Sequence, residues 1–370
     1  MVLARRPALL LCAALALSAA AGGAEAKVTK KLIEFGWDEP DPAFMRRHAA
    51  QMERTPFDGC VFHLDYTRPD RTEGRFTWEC WGRRAFTLAE LKPGRDDLKA
   101  TRFRRFRHNF LRFNVTPADL DWFDDYSAVL NNARLAARIA REGRCKGIAL
   151  DVEPYQQPLF NYRKQRDAGM KNWDEYAVQA RRRGQEVMRA FQSGYPGLTV
   201  FLTVGYGAVW DQSGGGRRPL AGTDFGLLAP FLDGMVDATV SPARLIDGYE
   251  QAYSYRDTTL FDKGYRAVKH DLLRIVSPRQ KYASVFTCAF GIWLDYDWRG
   301  KGWNTKDLSR NYYNPAAFET SVRKALRASD EYVWIYSETP RWWTEDGGPL
   351  KLPPEYDAAL RRVRREFGRD

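Results

Sequence analysis

The chain has 370 residues, of which 44% are hydrophobic and 28% charged, with a formal net charge of +11. That balance excludes a disordered or fibrous chain, and the length suits one large α/β barrel or two smaller domains. A basic surface favours acidic partners such as nucleic acid, anionic glycans or cell-surface polymers.

The N-terminus reads as a secretory signal peptide. Arg5 and Arg6 form a basic start, residues 9–17 an apolar stretch and Ala24-Glu25-Ala26 a small-residue cleavage site. This predicts a secreted or periplasmic chain of residues 27–370. The apolar stretch is too short to span a bilayer and no later segment is long enough, so no stable membrane insertion is expected. Export argues against nucleic acid as a partner. The remaining cysteines are Cys60, Cys80, Cys145 and Cys288, whose spacing matches no zinc motif. Cys80 lies in a loop-like insertion and is the best candidate for a disulfide, with Cys60 as its partner.

Further along, strand-like and helix-like segments alternate. Residues 31–37 read as a strand, and Asp41-Pro42 starts a helix running to about residue 54. A second strand covers 59–64, followed by a long insertion, 67–107, rich in Arg, Trp and Gly. Its cluster Arg102, Arg104, Arg105 and Arg107 reads as a solvated surface run. A strand at 110–115 leads to a helix at 124–142 that Gly143 stops. The fourth strand is 147–152, with a second insertion at 156–171 and a helix at 174–192. A fifth strand covers 198–204. Ser213-Gly214-Gly215-Gly216-Arg217-Arg218 is a flexible loop whose glycines suit an anion cradle, but no strand–helix context surrounds it. A helix at 225–231, a strand at 243–246, a helix at 260–275 and a strand at 282–289 follow. The chain closes with a helix at 315–328, a strand at 331–336 and a basic amphipathic helix at 354–367. Eight strands separated mostly by helices predict an α/β fold: a single-domain (β/α)8 barrel with insertions after strands 2 and 4.

The fourth strand carries the strongest chemical signal. Gly147-Ile148-Ala149-Leu150 is an apolar run ending in Asp151, Val152 and Glu153, and Pro154 stops it. Strand side chains alternate faces, so Asp151 and Glu153 point the same way. Two acids on one face repel, and they sit at the strand end where parallel barrels place their chemistry. The other polar and aromatic residues at predicted strand ends are Trp37, His63 and Asp65, Asn114, Tyr155, Tyr206, Tyr249 and Glu250, Trp293 and Asp295, and Glu338 with Trp342. Carboxylates mixed with Trp and Tyr around one mouth suit a sugar-binding cleft. Glycosidic cleavage needs an acid on the leaving oxygen and a second group that stabilises or captures the oxocarbenium-like centre. The expected catalytic residues are Glu153 as acid, with Asp151 or Glu338 as partner, and the expected ligand is a carbohydrate. His63 with Asp65 could bind a metal, but a lone strand histidine is more often a hydrogen-bonded core residue, and four histidines show no ligand spacing. No cofactor is expected.

Residues 146–153 resemble the fourth-strand signature of family 18 glycoside hydrolases, the chitinase-like barrels, whose motif reads D-G-x-D-x-D-x-E. The glycine, last aspartate and glutamate match at Gly147, Asp151 and Glu153, while Lys146 and Ala149 replace the first two aspartates. The resemblance implies that Glu153 is the acid and that Asp151 positions a substrate N-acetyl group acting as nucleophile. It further implies an assisting tyrosine at Tyr249 and a tryptophan at the eighth-strand end, Trp334 or Trp342. The rival reading is a barrel without turnover that binds glycans or serves as an envelope scaffold. The replaced aspartates favour the rival, and the intact Asp151/Glu153 pair favours the enzyme.

Overall fold

The computed structural model describes residues 29–297, 300, 302–344 and 348–368. The predicted signal peptide lies outside them. Eight parallel strands close a ring: β1 (Lys31–Gly36), β2 (Gly59–Phe62), β3 (Phe110–Asn114), β4 (Gly147–Asp151), β5 (Thr199–Leu202), β6 (Arg244–Asp247), β7 (Phe286–Cys288 continuing as Phe290–Trp293) and β8 (Tyr332–Ser337). The first half of β7 pairs with β6 and the second half with β8. β8 pairs with β1 from Lys31↔Tyr332 to Gly36↔Ser337, so closure runs through the strand broken at Ala289. The helices α1 (Pro42–Met52), α2 (Lys92–Ala100), α3 (Ser127–Glu142), α4 (Trp173–Gly194), α5 (Leu228–Ala238), α6 (Thr259–Lys269), α7 (Pro315–Ala328) and α8 (Pro354–Phe367) follow β1 to β8 in turn. This is a (β/α)8 barrel.

Local chemistry explains the helix starts. The Asp41 carboxylate accepts the Phe44 amide at 2.6 Å, with Pro42 at the first position. Asn172 and Glu175 form a reciprocal capping box at 3.0 and 2.8 Å. Asn314 accepts from Ala317 at 2.9 Å ahead of Pro315. Helices α4 and α5 touch backbone to backbone: a Cβ on Gly184 would lie 1.9 Å from the Phe231 carbonyl.

Alternation then sorts the strands. Ile33, Phe35, Val61, Phe110, Ala149, Phe201, Ile246, Ala289, Tyr332 and Trp334 fill the ring interior, while Leu32, Phe62, Leu111, Ile148, Leu150 and Val200 face the helices. The interior floor is aromatic. Phe110 and Phe201 stand 5.7 and 6.2 Å from Tyr332, whose hydroxyl meets His108 at 2.8 Å. Trp334 lies above, 6.2 Å from Phe201, and its indole donates to the Gly248 carbonyl at 2.7 Å.

Three expectations need correction. Residues 282–285, expected to open the seventh strand, instead end a helix Arg279–Val285 in which Tyr282 and Val285 bury on one face, and β7 begins at Phe286. The insertion at 67–107 contains its own structure: a hairpin pairing Asp65–Thr67 with Glu73–Arg75, a short helix Phe76–Glu79, and α2, the second helix of the barrel. No disulfide joins Cys80 to Cys60. Both are free and buried; Cys80 donates to the Asn114 carbonyl and Cys60 meets the Asn109 side chain.

The last helix is tied down by a buried ion pair. Arg364 reaches Asp58 at 3.0 Å and the Lys30 carbonyl at 2.8 Å, while Asp58 also accepts the Leu32 amide at 2.8 Å. Replacing Arg364 with Met strands a buried carboxylate and should lower unfolding free energy by about 3 kcal/mol in chemical denaturation. Exposed Arg361→Ala should cost under about 1 kcal/mol.

Candidate active site

The mouth at the C-terminal ends of the strands is built around one buried guanidinium. Arg112 points inward from β3, two residues above Phe110, and is only 9% exposed. It donates to Glu39 at 2.8 Å, to Asp151 at 2.6 Å and to the Tyr155 hydroxyl at 3.3 Å. The rings of Phe35 and Trp78 each lie 5.0 Å from it. Trp78 comes from the short helix of the first insertion, which thereby reaches the mouth and meets Tyr155 edge-on at 5.0 Å.

Asp151 is inward-facing like Ala149 and fully engaged. One oxygen accepts from Arg112 and from Tyr155 at 3.1 Å; the other accepts the Glu153 amide at 3.1 Å. That last bond fixes the backbone from which Glu153 projects. The Glu153 carboxyl lies within hydrogen-bond reach of the Glu250 carboxyl. Two buried carboxyl groups that close favour holding a proton over both ionising. Burial, then the nearby Asp151 charge, pushes Glu153 up to about 7. Burial, then the charges of Glu153 and Asp151, pushes Glu250 up to about 9.

Glu250 is aimed by the turn after β6. The buried Asp247 carboxylate accepts the Tyr249 amide at 2.9 Å, and Tyr249 sits in the left-handed region at φ 44°. The turn directs Glu250 to the mouth and Tyr249 away from it, against Phe290 at 5.7 Å. On the far side, Tyr336 on β8 links two predicted residues: it accepts from the Trp37 indole at 2.8 Å and donates to Glu338 at 3.2 Å. The Glu153 charge also acts on the Tyr336 phenol. Burial raises the Glu338 carboxyl. Tyr253 stacks on Tyr336 at 5.5 Å, and Trp293 meets both rings at 5.7 and 5.5 Å. Trp37 is 69% exposed and Tyr155 45% exposed, leaving aromatic faces open at the rim.

The structure therefore brings Glu153, Asp151, Tyr155 and Glu250 together, with Trp37, Trp293 and Glu338 joined to them through Tyr253 and Tyr336. Asn114 pairs in register with Asp151 but is wholly buried, its amide unpartnered by protein atoms. His63 and Asp65 pair at 3.0 Å beside the hairpin; burial lowers the histidine's affinity for a proton, but Asp65 and Glu39 outweigh it and the net shift is upward. Asp295 is a clamp between strand ends, accepting the Trp293 indole at 3.0 Å and the Glu338 and Thr339 amides at 3.0 and 2.8 Å. Tyr206 and Trp342 stand apart from the mouth: Tyr206 is buried between Tyr282 and Phe286 and bonded to Asp233 at 2.8 Å, and Trp342 is buried against Phe57 at 4.8 Å. The Gly214–Gly216 amides are not free for an anion, since Gly214, Gly215 and Gly216 donate to Asp211, Trp210 and Ser213. Among the described residues no group of three His, Cys, Asp or Glu could hold a metal ion.

Sequence reasoning missed Arg112, Glu39, Trp78, Tyr253 and Tyr336. Arg112 and Tyr336 share the inward parity of Phe110 and Trp334, and counting by twos would have found them.

No family model matches the sequence, and no curated protein matches it. Among solved structures the chain is similar to AsfvAP:AG (9% identity, 92% of this chain and 100% of that chain, TM-score 0.46). It is also similar to a psychrophilic glycoside hydrolase family 10 endo-β-1,4-xylanase (11% identity, 92% and 97% coverage, TM-score 0.46). A third is the family 18 chitinase ChiB of Flavobacterium johnsoniae (8% identity, 91% and 96% coverage, TM-score 0.34). Likeness at this level says nothing about activity.

The carboxyl pair has a consequence for stability. Both folded-state values lie above the ordinary 4.5, so the folded protein holds these protons more tightly than the unfolded chain does. Stability from this source is therefore lost as pH rises from about 5 towards 9. Glu250→Gln should melt higher than wild type, by an amount growing over that range to on the order of 2 kcal/mol, with the two curves converging near pH 5 in a thermal melt series.

Proposed function

We propose that this barrel is an exported glycoside hydrolase acting on a poly- or oligosaccharide, with Glu153 as general acid. The observation that carries the reading is the pair of buried carboxyls, Glu153 and Glu250, acting on each other in an aromatic-rimmed mouth. A glycosidic oxygen needs a proton donor that keeps its proton near neutral pH, and a carboxyl raised to about 7 meets that need. Aromatic faces at Trp37, Tyr155 and Trp293 suit the apolar faces of sugar rings.

The second catalytic role falls to another group. Burial and the Glu153 charge push Glu250 up to about 9, so it stays protonated near neutral pH and tunes Glu153 rather than acting as nucleophile. Asp151 and Glu338 remain as partners. If the substrate carries an N-acetyl group, as the family 18 resemblance implies, Asp151 would exchange its Tyr155 bond for the acetamido nitrogen. Tyr249 faces away from the mouth, so Tyr253 or Tyr336 takes the assisting-tyrosine role.

Hydrolysis of a glycan library by wild type, Glu153→Gln and Glu338→Gln tests this. Glu153→Gln should lower kcat at least about 100-fold with little change in KM, and wild-type activity should fall as pH rises through about 7 to 9. Equal turnover by wild type and Glu153→Gln removes Glu153 from the mechanism. Glycan binding by wild type with no turnover at all supports the inactive glycan-binding barrel.

A further inference from the structure

A second carboxyl pair lies outside the mouth, on the outer face of β1. Ile33 and Phe35 point into the ring, so Glu34 and Gly36 point away from it. Glu34 is fully buried, and among the described residues no N–H or O–H group donates to either of its oxygens. The chain then turns at Gly36, whose carbonyl accepts the Glu39 amide at 3.1 Å, and Asp38 folds back beside that glycine. A Cβ on Gly36 would stand 2.9 Å from the Ser337 hydroxyl and 3.0 Å from Oδ1 of Asp38. The absent side chain leaves the Glu34 and Asp38 carboxyls within hydrogen-bond reach of each other.

A carboxylate without a donor is too costly to bury, so Glu34 is a neutral acid whose proton needs an acceptor. Asp38 supplies it. Oδ1 of Asp38 is buried and takes no other donor, while Oδ2 accepts the Trp342 amide at 2.8 Å and the Asp38 carbonyl accepts the Trp343 indole at 2.7 Å. Trp342 and Trp343 belong to the loop after β8, the strand that pairs with β1 to close the ring. Three other groups act on the pair. Glu39, next along the same loop, opposes ionisation of Glu34, and Arg341, in the loop after β8, favours it. Cys60 on β2 is a thiol that its own burial keeps neutral. Arg341 directs its guanidinium to the Glu338 and Pro340 carbonyls, not to either acid. Burial prevails, and both carboxyls lie above the ordinary range.

We propose that one proton held between Glu34 and Asp38 locks the closing seam of the ring, and that its loss in alkali frees the loop after β8 from the loop after β1. Once ionised, Glu34 faces Asp38 charge to charge, and the Asp38 carboxylate leaves the Trp342 amide. The two loops also carry parts of the mouth. Trp37 and Glu39, the partner of Arg112, follow β1, and Glu338 follows β8. Alkali thus loosens the rim from outside, by a route separate from Glu153 and Glu250. The lock belongs to the fold and does not rest on turnover of a glycan.

Trypsin reads the seam, since Arg341 immediately precedes the amide that Asp38 holds. Cutting after Arg341 is followed by mass spectrometry and normalised to cutting after Arg217, on an exposed loop after β5. In wild type it should rise about tenfold or more between about pH 7 and about pH 9.5. Glu34→Gln keeps a neutral donor facing Asp38 and should reduce that rise to under about twofold. If circular dichroism shows Glu34→Gln unfolded, Asp38→Asn takes its place. It keeps an acceptor for the Trp342 amide, removes the charge facing Glu34 and should flatten the rise likewise. Glu250→Gln should leave the rise as in wild type. A wild-type chain cut no faster at the higher pH overturns the proposal, as does a folded Glu34→Gln or Asp38→Asn whose cutting rises like wild type. Loss of the rise in Glu250→Gln assigns it to the mouth and also overturns the proposal.

Discussion

Everything at the mouth depends on how a buried positive charge is matched. Arg112 stands inside the ring with Glu39 on one side and Asp151 on the other, 2.8 and 2.6 Å away. A buried ion pair seldom adds net stability, because desolvation offsets its attraction, but breaking one leaves an uncompensated charge. Such a pair therefore fixes geometry. Here it holds the end of β4 against the loop after β1, and Asp151 in turn fixes the Glu153 amide. With Arg112 satisfied by Glu39 and Asp151, the remaining acids lack a strong cation partner. Glu153 and Glu250 are left to each other, and a proton is the remaining means of joining them.

The same device recurs at a smaller scale. Asp247 closes the turn after β6 and Asp295 clamps the ends of β7 and β8, each by accepting backbone amides. Neither carboxylate faces the mouth, yet each sets the direction of a glutamate that does: Glu250 in one case, Glu338 in the other. Reading strand-end acids as equivalent conceals this division between side chains that present and side chains that orient.

Much of the architecture was legible because the barrel repeats one local pattern. The limits of α7 and α8 follow from Asn314-Pro315 and Pro353-Pro354, where proline fixes the first turn. Asp151, at the end of β4, follows from parity, while Glu153 lies beyond the strand on backbone that Asp151 holds. Other features were hidden for specific reasons. The start of β7 was placed too early because Tyr282-Ala283-Ser284-Val285 satisfies a helical period as well as an apolar run, while Phe286–Cys288 is strand as expected. Tyr206 and Tyr249 follow their strands in sequence, but the helix at Tyr206–Gln212 and the left-handed turn at Tyr249 rotate them into the outer layer. Arg112 was overlooked because an arginine within Phe110-Leu111-Arg112-Phe113 reads as an interruption of a core strand. Only the carboxylates brought in from β4 and from the loop after β1 show why it belongs there. Cysteine count and export favour a bridge, whereas Cys60 and Cys80 are free buried thiols, each with a carbonyl-type acceptor of its own.

The aromatic floor has a geometric consequence. Phe110, Phe201 and Tyr332 seal the lower ring, with Arg244 beneath at 5.9 Å from the Tyr332 ring and Trp334 as a second storey. The ring is a cup, not a pipe. Whatever reaches Glu153 arrives and departs by one entrance, so a long polymer cannot be drawn through end to end, and each departing fragment must clear the rim before its successor can settle.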